Sequence, residues 1–337
     1  MLYGAITKAR NALYEKGWLK SFSLGVPTIS IGNITVGGTG KTPLVAFVAE
    51  ILVEYGEKVC ILTRGYGREN TKQRVLVSDG EMILAEVKKA GDEPYELANK
   101  LLGKSVVVAD ANRVLAGNWA REKFGVTAFV LDDAFQHRQA KRDLDIVLVD
   151  ATNPFGNGKL LPFGILREPL ENLQRADVII ISRANLTDDL DNLKSGISKI
   201  NPNCPIFVSE NKVANLVNLK EFHIERTKDK GQRTKDKSLA FCGLGNPNNF
   251  FEQLRCEHFD LVSTETFPDH HFYTPKDIAK IEKQATENSA EMLLTTAKDA
   301  VKLKDLDFNL PCFVVENEIV FDDEIGFCKL IIAALEK

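Results

Sequence analysis

The sequence predicts an α/β fold whose mostly parallel β-sheet is covered by helices on both faces. Through the first two thirds of the 337-residue chain, short apolar runs rich in β-branched residues alternate with segments of helical character. Such runs are continuously apolar, which is typical of parallel strands that are buried on both faces. With 44% hydrophobic and 27% charged residues, the composition supplies enough apolar material for this core.

The predicted elements of this first part follow one another in a regular order. The predicted strands are residues 28–31, 59–62, 106–109, 127–131, 146–149 and 178–181. The predicted helices between them are residues 42–55, 95–102 and 112–124. Strands that alternate with helices in this way indicate a sheet built from parallel crossover units.

After Ser182 the alternation loosens, and it resumes in a second set of predicted strands at 239–242, 261–262, 292–295 and 312–315. A helix is predicted to begin at Thr274-Pro275, because Thr is a good N-cap and Pro suits the first helical position. The stretch RTKDKGQRTKDKS at 226–238 repeats Thr-Lys-Asp-Lys, which predicts a solvated loop. We therefore expect a second, smaller α/β unit, joined to the first between about 183 and 235.

The N-terminal segment predicts a basic amphipathic helix. Its apolar face contains Leu2, Ile6, Ala9 and Leu13. Four basic residues and one acidic residue give it a charge of +3: Lys8, Arg10, Lys16, Lys20 and Glu15. Such a helix either lies in a membrane interface or packs on its own domain, and the pattern alone favours neither. With no run of about 18 apolar residues, we expect no membrane-spanning helix.

The stretch GNITVGGTGKTP at 32–43 predicts a phosphate-binding loop between a strand and a helix. Its glycines let backbone N–H groups converge on an anion, and the helix N-terminus adds positive partial charge. We expect Lys41 to reach the β- and γ-phosphates and Thr42 to hold Mg²⁺. The predicted nucleotide-binding residues are Gly37, Gly38, Thr39, Gly40, Lys41 and Thr42.

One position departs from the strict form of this motif. Thr35 stands where the pattern has its first glycine, and Gly37 and Gly38 supply backbone freedom two residues later. The motif is therefore expected to function despite the substitution.

A second predicted strand ends in two carboxylates, Asp132 and Asp133, in the stretch AFVLDDAFQH. An acidic residue at this place holds or orients Mg²⁺ opposite a phosphate loop. Two adjacent carboxylates buried without a cation would repel each other, so we expect both to be metal ligands. An exposed Asp-Asp turn is the alternative.

Several other classes of protein fit the sequence less well. A regulatory GTPase usually carries N-K-x-D, but Asn211–Ala214 reads NKVA and lacks the aspartate. A metallochaperone or zinc protein would need clustered Cys or His, and the six cysteines form no C-x-x-C pair. The net charge of −4 gives no general argument for nucleic-acid binding, so no nucleic-acid partner is expected. The basic amphipathic N-terminus argues against a soluble small-molecule kinase, and intact Lys41 and Thr42 disfavour a scaffold with a degenerate loop.

Taken together, the motifs of this chain resemble those of the tetraacyldisaccharide 4′-kinases, the lipid A kinases of Gram-negative bacteria. The motifs that carry the resemblance span nearly the whole chain: GNITVGGTGKTP, ILTRGYGR, AGDEPYELA, LDDAFQHRQAKRDLDIVLVDA, LLPFGILREPL, FCGLGNP, FPDHHFY and TTAKDAVKL. The chain departs from the family at Ala134, where a glycine is usual, beside the expected metal ligands.

The resemblance implies transfer of the ATP γ-phosphate, with Mg²⁺, to the 4′-hydroxyl of an acylated disaccharide 1-phosphate lipid. It also implies an architecture: an N-terminal membrane-associating helix at 1–26, a P-loop kinase domain at 27–205, and a smaller α/β domain with a β linker at 206–337. The implied location is the cytoplasmic face of the bacterial inner membrane, where the protein would be peripheral or monotopic. No obligate protein partner is implied.

The resemblance also implies roles for individual residues. Asp92 and His270 would form a base dyad, and closure of the two domains is expected to bring them together. Arg167 would neutralise charge on the transferred group, and Glu168 would be a further metal contact, although a plain surface Arg–Glu pair fits the residues too. Lys41 and Arg167 complete the expected catalytic set. Residues after a strand end are expected to contact substrate: Arg64, Tyr66 and Arg68.

Overall fold

The protein is described here by a computed structural model that covers residues 2–222 and 236–336. Within these residues, twelve strands form one sheet in the order β10-β9-β11-β12-β8-β7-β6-β1-β5-β2-β4-β3. The pairs are parallel except for β3 with β4 and β8 with β12. The predicted α/β class with a mostly parallel sheet is confirmed. The repeated Thr-Lys-Asp-Lys stretch lies almost entirely outside the described residues.

The elements have the following bounds. The strands are β1 Thr28–Asn33, β2 Val59–Thr63, β3 Val75–Ser78, β4 Val106–Ala109, β5 Ala128–Asp132, β6 Leu144–Asp150, β7 Val178–Ser182, β8 Ile206–Asn218, β9 Ser238–Cys242, β10 Leu261–Thr266, β11 Met292–Thr296 and β12 Cys312–Phe321. The helices are α1 Leu2–Glu15, α2 Lys41–Glu54, α3 Val87–Ala90, α4 Asp92–Lys100, α5 Arg113–Phe124, α6 Leu190–Ile200, α7 Leu219–Phe222, α8 Pro247–Cys256, α9 Pro275–Glu287, α10 Ala297–Ala300 and α11 Glu324–Ala333. Two short 3-10 segments lie at Leu170–Arg175 and Ala184–Leu186.

Apolar cores lie on both faces of the sheet, as continuously apolar strands require. One face of the first part packs on α2, α4 and α11, while the other packs on α5 and α6. In the second part, α9 covers one face and α8 the other. Alternate residues of one strand therefore enter different cores: Ile61 of β2 lies in one, and Cys60 and Leu62 in another.

Strands β8 and β12 join the two parts of the sheet. Residues 206–208 of β8 pair in parallel with β7, and residues 209–218 pair antiparallel with β12. Strand β8 was not predicted, because polar residues interrupt its apolar pattern throughout IFVSENKVANLVN. The predicted boundary between the two domains, after residue 205, stays a prediction. Strand β8, which joins the two parts of the sheet, begins at residue 206.

The last helix of the chain packs on the first part rather than on the second. Phe327 of α11 stacks on Phe321 of β12 with ring centroids 4.6 Å apart, and it also contacts Phe47 of α2. Both Phe327 and Ile331 are fully buried in the core that contains α2. The predicted C-terminal unit at 206–337 thus contributes its final helix to the core behind the phosphate loop.

Helix α1 packs on the first part through its polar side. Asn11 is buried, and its amide donates to Glu168 Oε2 at 2.7 Å. Arg10 donates to the carbonyl of Gln136 at 2.8 Å, and the Tyr3 hydroxyl to that of Arg167 at 3.1 Å. Ile6, on the predicted apolar face, is 58% exposed. The helix therefore packs on its own domain and still presents an apolar residue outward.

The predicted start of α9 at Thr274-Pro275 is confirmed. The Thr274 hydroxyl accepts from the Asp277 backbone N–H, and the Asp277 carboxylate accepts from the Thr274 N–H at 2.8 Å, which forms a reciprocal capping box. Loss of an N-cap side chain typically costs about 1 kcal/mol.

We expect Thr274→Ala to lower the free energy of unfolding by about 1 kcal/mol, because the Asp277 backbone N–H at the start of α9 loses the hydroxyl that caps it. Urea denaturation followed by circular dichroism measures this loss. The matched control is Thr286→Ala in the same helix, whose exposed hydroxyl donates only to the Glu282 carbonyl. Equal losses in the two variants would contradict a capping role for Thr274.

Candidate active site

The phosphate loop connects the end of β1 at Asn33 to the start of α2 at Lys41. Gly37 has φ 106° and Gly40 has φ 84°, which are backbone conformations that favour glycine. A Cβ atom on Gly37 or Gly38 would meet nothing within 4 Å, so this part of the loop faces open space. The loop therefore has the strand–glycine–helix form that suits an anion.

Two residues at the end of β7 anchor this loop. The Ser182 hydroxyl donates to the Thr39 carbonyl at 2.9 Å, and Arg183 donates to the Gly38 carbonyl at 2.9 Å. Arg183 also pairs with Asp150 at the end of β6. These contacts use the loop's carbonyl groups, so they leave its N–H groups available for an anion.

The carboxylate of Asp132 is buried at the end of β5, beside the phosphate loop. It accepts from the Thr63 hydroxyl at 2.8 Å. Burial, followed by the charges of Glu93 and Asp133, raises the pKa of Asp132 to about 6. A carboxylate in this state would be stabilised in its ionised form by a nearby cation.

Asp133 follows immediately and has two cationic partners. Lys41 Nζ lies 3.3 Å from its Oδ1, and Arg167 Nη1 lies 2.8 Å from its Oδ2. Burial opposes ionisation, but the charges of Lys41 and Arg167 outweigh it and hold the pKa of Asp133 well below its usual range. Asp133 thus links the phosphate-loop lysine to the arginine that the sequence analysis expected to act in transfer.

The donor set fits Mg²⁺ held together with a nucleotide. Thr42 at the first turn of α2 supplies a hydroxyl, and Asp132 supplies a carboxylate on the neighbouring strand. Mg²⁺ is commonly bound by one or two such groups together with phosphate oxygens and water. Among residues 2–222 and 236–336, no group of three or more Asp, Glu, His or Cys side chains forms a separate metal site.

Glu168, expected as a further metal ligand, lies outside the cleft. It is buried, and its carboxylate accepts from Asn11 at 2.7 Å and from Asn172 at 2.6 Å. Arg175 pairs with it at 3.1 Å. These partners occupy its oxygens on the side of the domain that carries α1, so we leave Glu168 out of the proposed ligand set.

The three residues expected to contact substrate in the TRGYGR motif do not all face the cleft. Tyr66 lines the cleft, and exposed Arg64 donates to its hydroxyl at 3.3 Å. Arg68 instead turns inward, where it donates to the backbone carbonyls of Gln73, Ala109 and Thr71. Arg68 therefore organises the loop, and we retain only Arg64 and Tyr66 as candidate substrate contacts.

Asp92 and His270 are in direct contact. His270 Nδ1 lies 2.9 Å from both Oδ1 and Oδ2 of Asp92. Asp92 is the first residue of α4, and His270 lies in the loop after β10 with φ 61°. The sequence analysis expected domain closure to bring them together, whereas the structure already pairs them.

The surroundings of this pair favour ionised Asp92. The hydrogen bond with Asp92 raises the pKa of His270 above its usual value, against the effects of burial and of Lys298. Burial opposes ionisation of Asp92, but the hydrogen bond from His270 and the charges of Lys298 and Lys302 lower its pKa. The carboxylate is therefore suited to orient the imidazole.

A single cleft of about 330 Å³ contains the phosphate loop, Asp132, Asp133, Arg167 and His270. Both parts of the sheet line it, and strands β8 and β12 contribute Asn211 and Asn317. A pocket lined by these convergent groups is the expected position of a nucleotide and an acceptor.

The comparison with known protein families is decisive. A family model described as "Tetraacyldisaccharide-1-P 4'-kinase" matches residues 1–336. The chain belongs to this family.

Curated members of the tetraacyldisaccharide 4′-kinase family extend the match. The protein of that name from Halothermothrix orenii is 37% identical, over 98% of this chain and 89% of its own length. The one from Pelobacter propionicus is 40% identical, over 90% of this chain and 81% of its own length. Among solved structures, LpxK from Aquifex aeolicus in complex with ATP superposes with a TM-score of 0.76 at 33% identity, covering 99% of this chain and 96% of that one. A P-loop kinase fold is therefore shown.

Sequence reasoning missed several residues of this tetraacyldisaccharide 4′-kinase site. Ser182 and Arg183 escaped notice because they sit at a strand end with no motif of their own. Asn211, Gln253 and Asn317 line the cleft, and the Gln253 amide donates to Asn317 Oδ1 at 2.9 Å. The sequence signal for Asn211 and Asn317 was the run of polar residues within β8 and β12. Its meaning becomes clear only once these two strands are seen to pair.

Proposed function

We propose that Asp92 and His270 accept the proton of the acceptor hydroxyl while the phosphate loop, Lys41 and Arg167 hold the transferred phosphoryl group. As a member of its family, the chain is an ATP- and Mg²⁺-dependent kinase that phosphorylates the 4′-hydroxyl of tetraacyldisaccharide 1-phosphate, forming lipid IVA. The observation that carries the assignment of residues is the contact between Asp92 and His270 in the cleft that also contains the phosphate loop.

The geometry of the pair supports Nε2 of His270 as the nitrogen that acts as the base. In the neutral imidazole, the Nδ1–H donates to the Asp92 carboxylate, so Nε2 carries the lone pair. A lone pair that faces the cleft can accept a proton from a hydroxyl, and Asp92 then stabilises the imidazolium that forms. His270 thus accepts the proton, and Asp92 orients the imidazole and stabilises its charged form.

The cationic side chains stabilise the charge of the transferred group. Lys41 and Arg167 both contact Asp133, and both line the cleft, so each can reach a phosphate oxygen there. Thr42 and Asp132 would hold Mg²⁺. Asp133 would orient the side chains of Lys41 and Arg167 and complete the surroundings of the metal ion. When bound, Mg²⁺ supplies further charge neutralisation for the phosphate oxygens.

The N-terminal helix and its neighbours present a surface suited to a membrane. We infer that α1 and its neighbours rest on a membrane surface at the cytoplasmic face of the inner membrane. Exposed apolar side chains gather along this segment and on the loop that packs against Gly4 of α1: Ile6, Trp18, Leu19, Phe22 and Phe163. Lys8, Lys16 and Lys20 add positive charge that attracts anionic headgroups. Among the described residues, no helix is long and apolar enough to cross a bilayer.

Replacing Lys41 by Ala should strongly reduce phosphoryl transfer without unfolding the protein. Lys41 contacts Asn33 and Asp133 at the loop, and Asp133 keeps Arg167 as a partner after the change. We expect kcat to fall by about 10²- to 10³-fold, because an electrostatic stabiliser of the transferred group is lost. Turnover of labelled ATP with the lipid acceptor measures this, with exposed Lys58→Ala as the matched control. Normal turnover of a folded Lys41→Ala protein would refute the assignment of the loop.

The dyad predicts a pH dependence and a pattern of coupling. Because the base must be neutral, kcat should fall as the pH drops through the pKa of His270, which Asp92 raises above its usual value of about 6.5. His270→Ala and Asp92→Ala should each lower kcat by about 10²- to 10⁴-fold. The double variant should lose little more than the worse single one, since the residues act as a unit. Multiplicative losses would mean that they act independently.

Membrane contact through α1 predicts a specific loss of vesicle binding. Ile6→Ser combined with Trp18→Ser should weaken binding to vesicles that contain anionic phospholipid, because two exposed apolar side chains leave the interface. ATP affinity should stay the same. The matched control is Met82→Ser with Ile325→Ser, two side chains exposed to a similar extent elsewhere. Sedimentation with vesicles compares the pairs, and equal binding by both double variants would contradict the proposed surface.

A further inference from the structure

Behind the dyad, outside the cleft, a lysine is buried between two carboxylates. The side chain of Lys302 is 0% exposed, and its Nζ lies 3.5 Å from Asp92 Oδ2 and 3.3 Å from Asp299 Oδ1. Lys302 follows α10 in the second part of the sheet, whereas Asp92 begins α4 in the first part. This ion-pair chain therefore crosses between the same two parts of the molecule as the Asp92–His270 hydrogen bond.

Hydrogen bonds hold the Asp299 end of this ion-pair chain in place. Asp299 is fully buried, and its Oδ2 accepts from the Gly243 N–H at 3.1 Å and from the Thr296 hydroxyl at 2.7 Å. A buried ammonium group is costly unless charge compensates it, and Asp299 and Asp92 provide that compensation. The fixed position of Asp299 therefore constrains Lys302, which in turn constrains the Asp92 carboxylate.

A neighbouring lysine, Lys298, also acts on the Asp92 carboxylate, but it is shared among three carboxylates and reaches the cleft. Lys298 Nζ lies 3.9 Å from Asp92 Oδ2, farther away than Lys302. It is also shared with Asp269 at 3.1 Å and with Glu93 at 3.4 Å, and it lines the cleft. Lys302 is thus the closer and more enclosed of these two cations.

We infer that Lys302 is a positioning residue that holds the Asp92 carboxylate in the orientation that accepts the hydrogen bond from His270. This inference rests on the proposed role of the dyad. It assigns Lys302 no contact with ATP or lipid, since the side chain acts through Asp92. Asp299 completes the arrangement by fixing the ammonium group from the opposite side.

The charges around the imidazole determine how each change should act. His270 faces Asp92 from α4, Asp269 from its own loop and Lys298 from α10. Asp92 additionally faces Lys302. The hydrogen bond with Asp92 is the main cause of the raised pKa of His270, so releasing the Asp92 carboxylate by removing Lys302 should lower that pKa. Loss of the Lys302 charge without movement of Asp92 would instead raise it. Removing the Asp299 charge frees the Lys302 ammonium group and should also lower the pKa of His270.

The test uses Lys302→Met and Asp299→Asn, which keep the side-chain size nearly constant. We expect the His270 imidazole signals in NMR to titrate about half a pH unit or more lower in both Lys302→Met and Asp299→Asn. Among the five histidines, His270 is assigned as the signal lost in His270→Gln. Exposed Lys304→Met is the matched control and should leave the titration unchanged.

Turnover provides the second measurement. In Lys302→Met, kcat should fall on the order of tenfold while the KM for ATP is unchanged, because the base is misplaced and the nucleotide contacts are intact. The NMR titration needs no substrate, so it stays decisive even if the lipid is not the acceptor.

Downward shifts in both variants support the inference, since loss of the Lys302 charge alone would raise the pKa of His270. Absent shifts, or an upward shift in Lys302→Met, would overturn it. If Lys302→Met fails to fold, the Asp299→Asn titration decides alone, and an unshifted His270 signal in that variant would overturn the inference.

Discussion

The structure depends on the pairing of β8 with two different partners. Through its first residues β8 extends the parallel sheet that ends at β7, and through the rest it pairs antiparallel with β12. Without this shared strand the two parts of the sheet would be separate layers, joined only by contacts such as those between α4 and α10. The contact of Asp92 with His270, between residues 178 positions apart in the sequence, follows from that pairing.

Charge compensation is the second constraint on the site. Several carboxylates that are costly to bury lie at the cleft, and each has different hydrogen-bonding and charged partners. Asp133 is neutralised by Lys41 and Arg167, and Asp92 by His270, Lys298 and Lys302. Asp132 has a hydroxyl partner and a raised pKa and, unlike Asp133 and Asp92, it has no paired cationic side chain among residues 2–222 and 236–336. This difference explains why Asp132, rather than Asp133, is the stronger candidate for holding a cation.

What the sequence predicted well was local in character. The phosphate loop, the strand that ends at Asp132 and the capping box at Thr274 are each specified by a few consecutive residues. Side-chain direction was harder to predict, because Arg68 and Glu168 turn away from the cleft to satisfy partners on distant segments. The polar residues of β8 concealed a strand. Nothing in the stretch KLK at 302–304 indicates that the Lys302 side chain is buried while Lys304 is exposed. These features arise from tertiary packing, which a single sequence does not display.

The position of α11 bears on how the chain is made. A ribosome releases the phosphate loop and α2 long before the last helix, yet Phe327 and Ile331 complete the core on which α2 rests. Until α11 has emerged, the apolar side of α2 lacks these partners, and a nascent chain of this kind exposes surface that favours aggregation or chaperone capture. A product truncated before α11 therefore has an incomplete core directly behind its nucleotide loop.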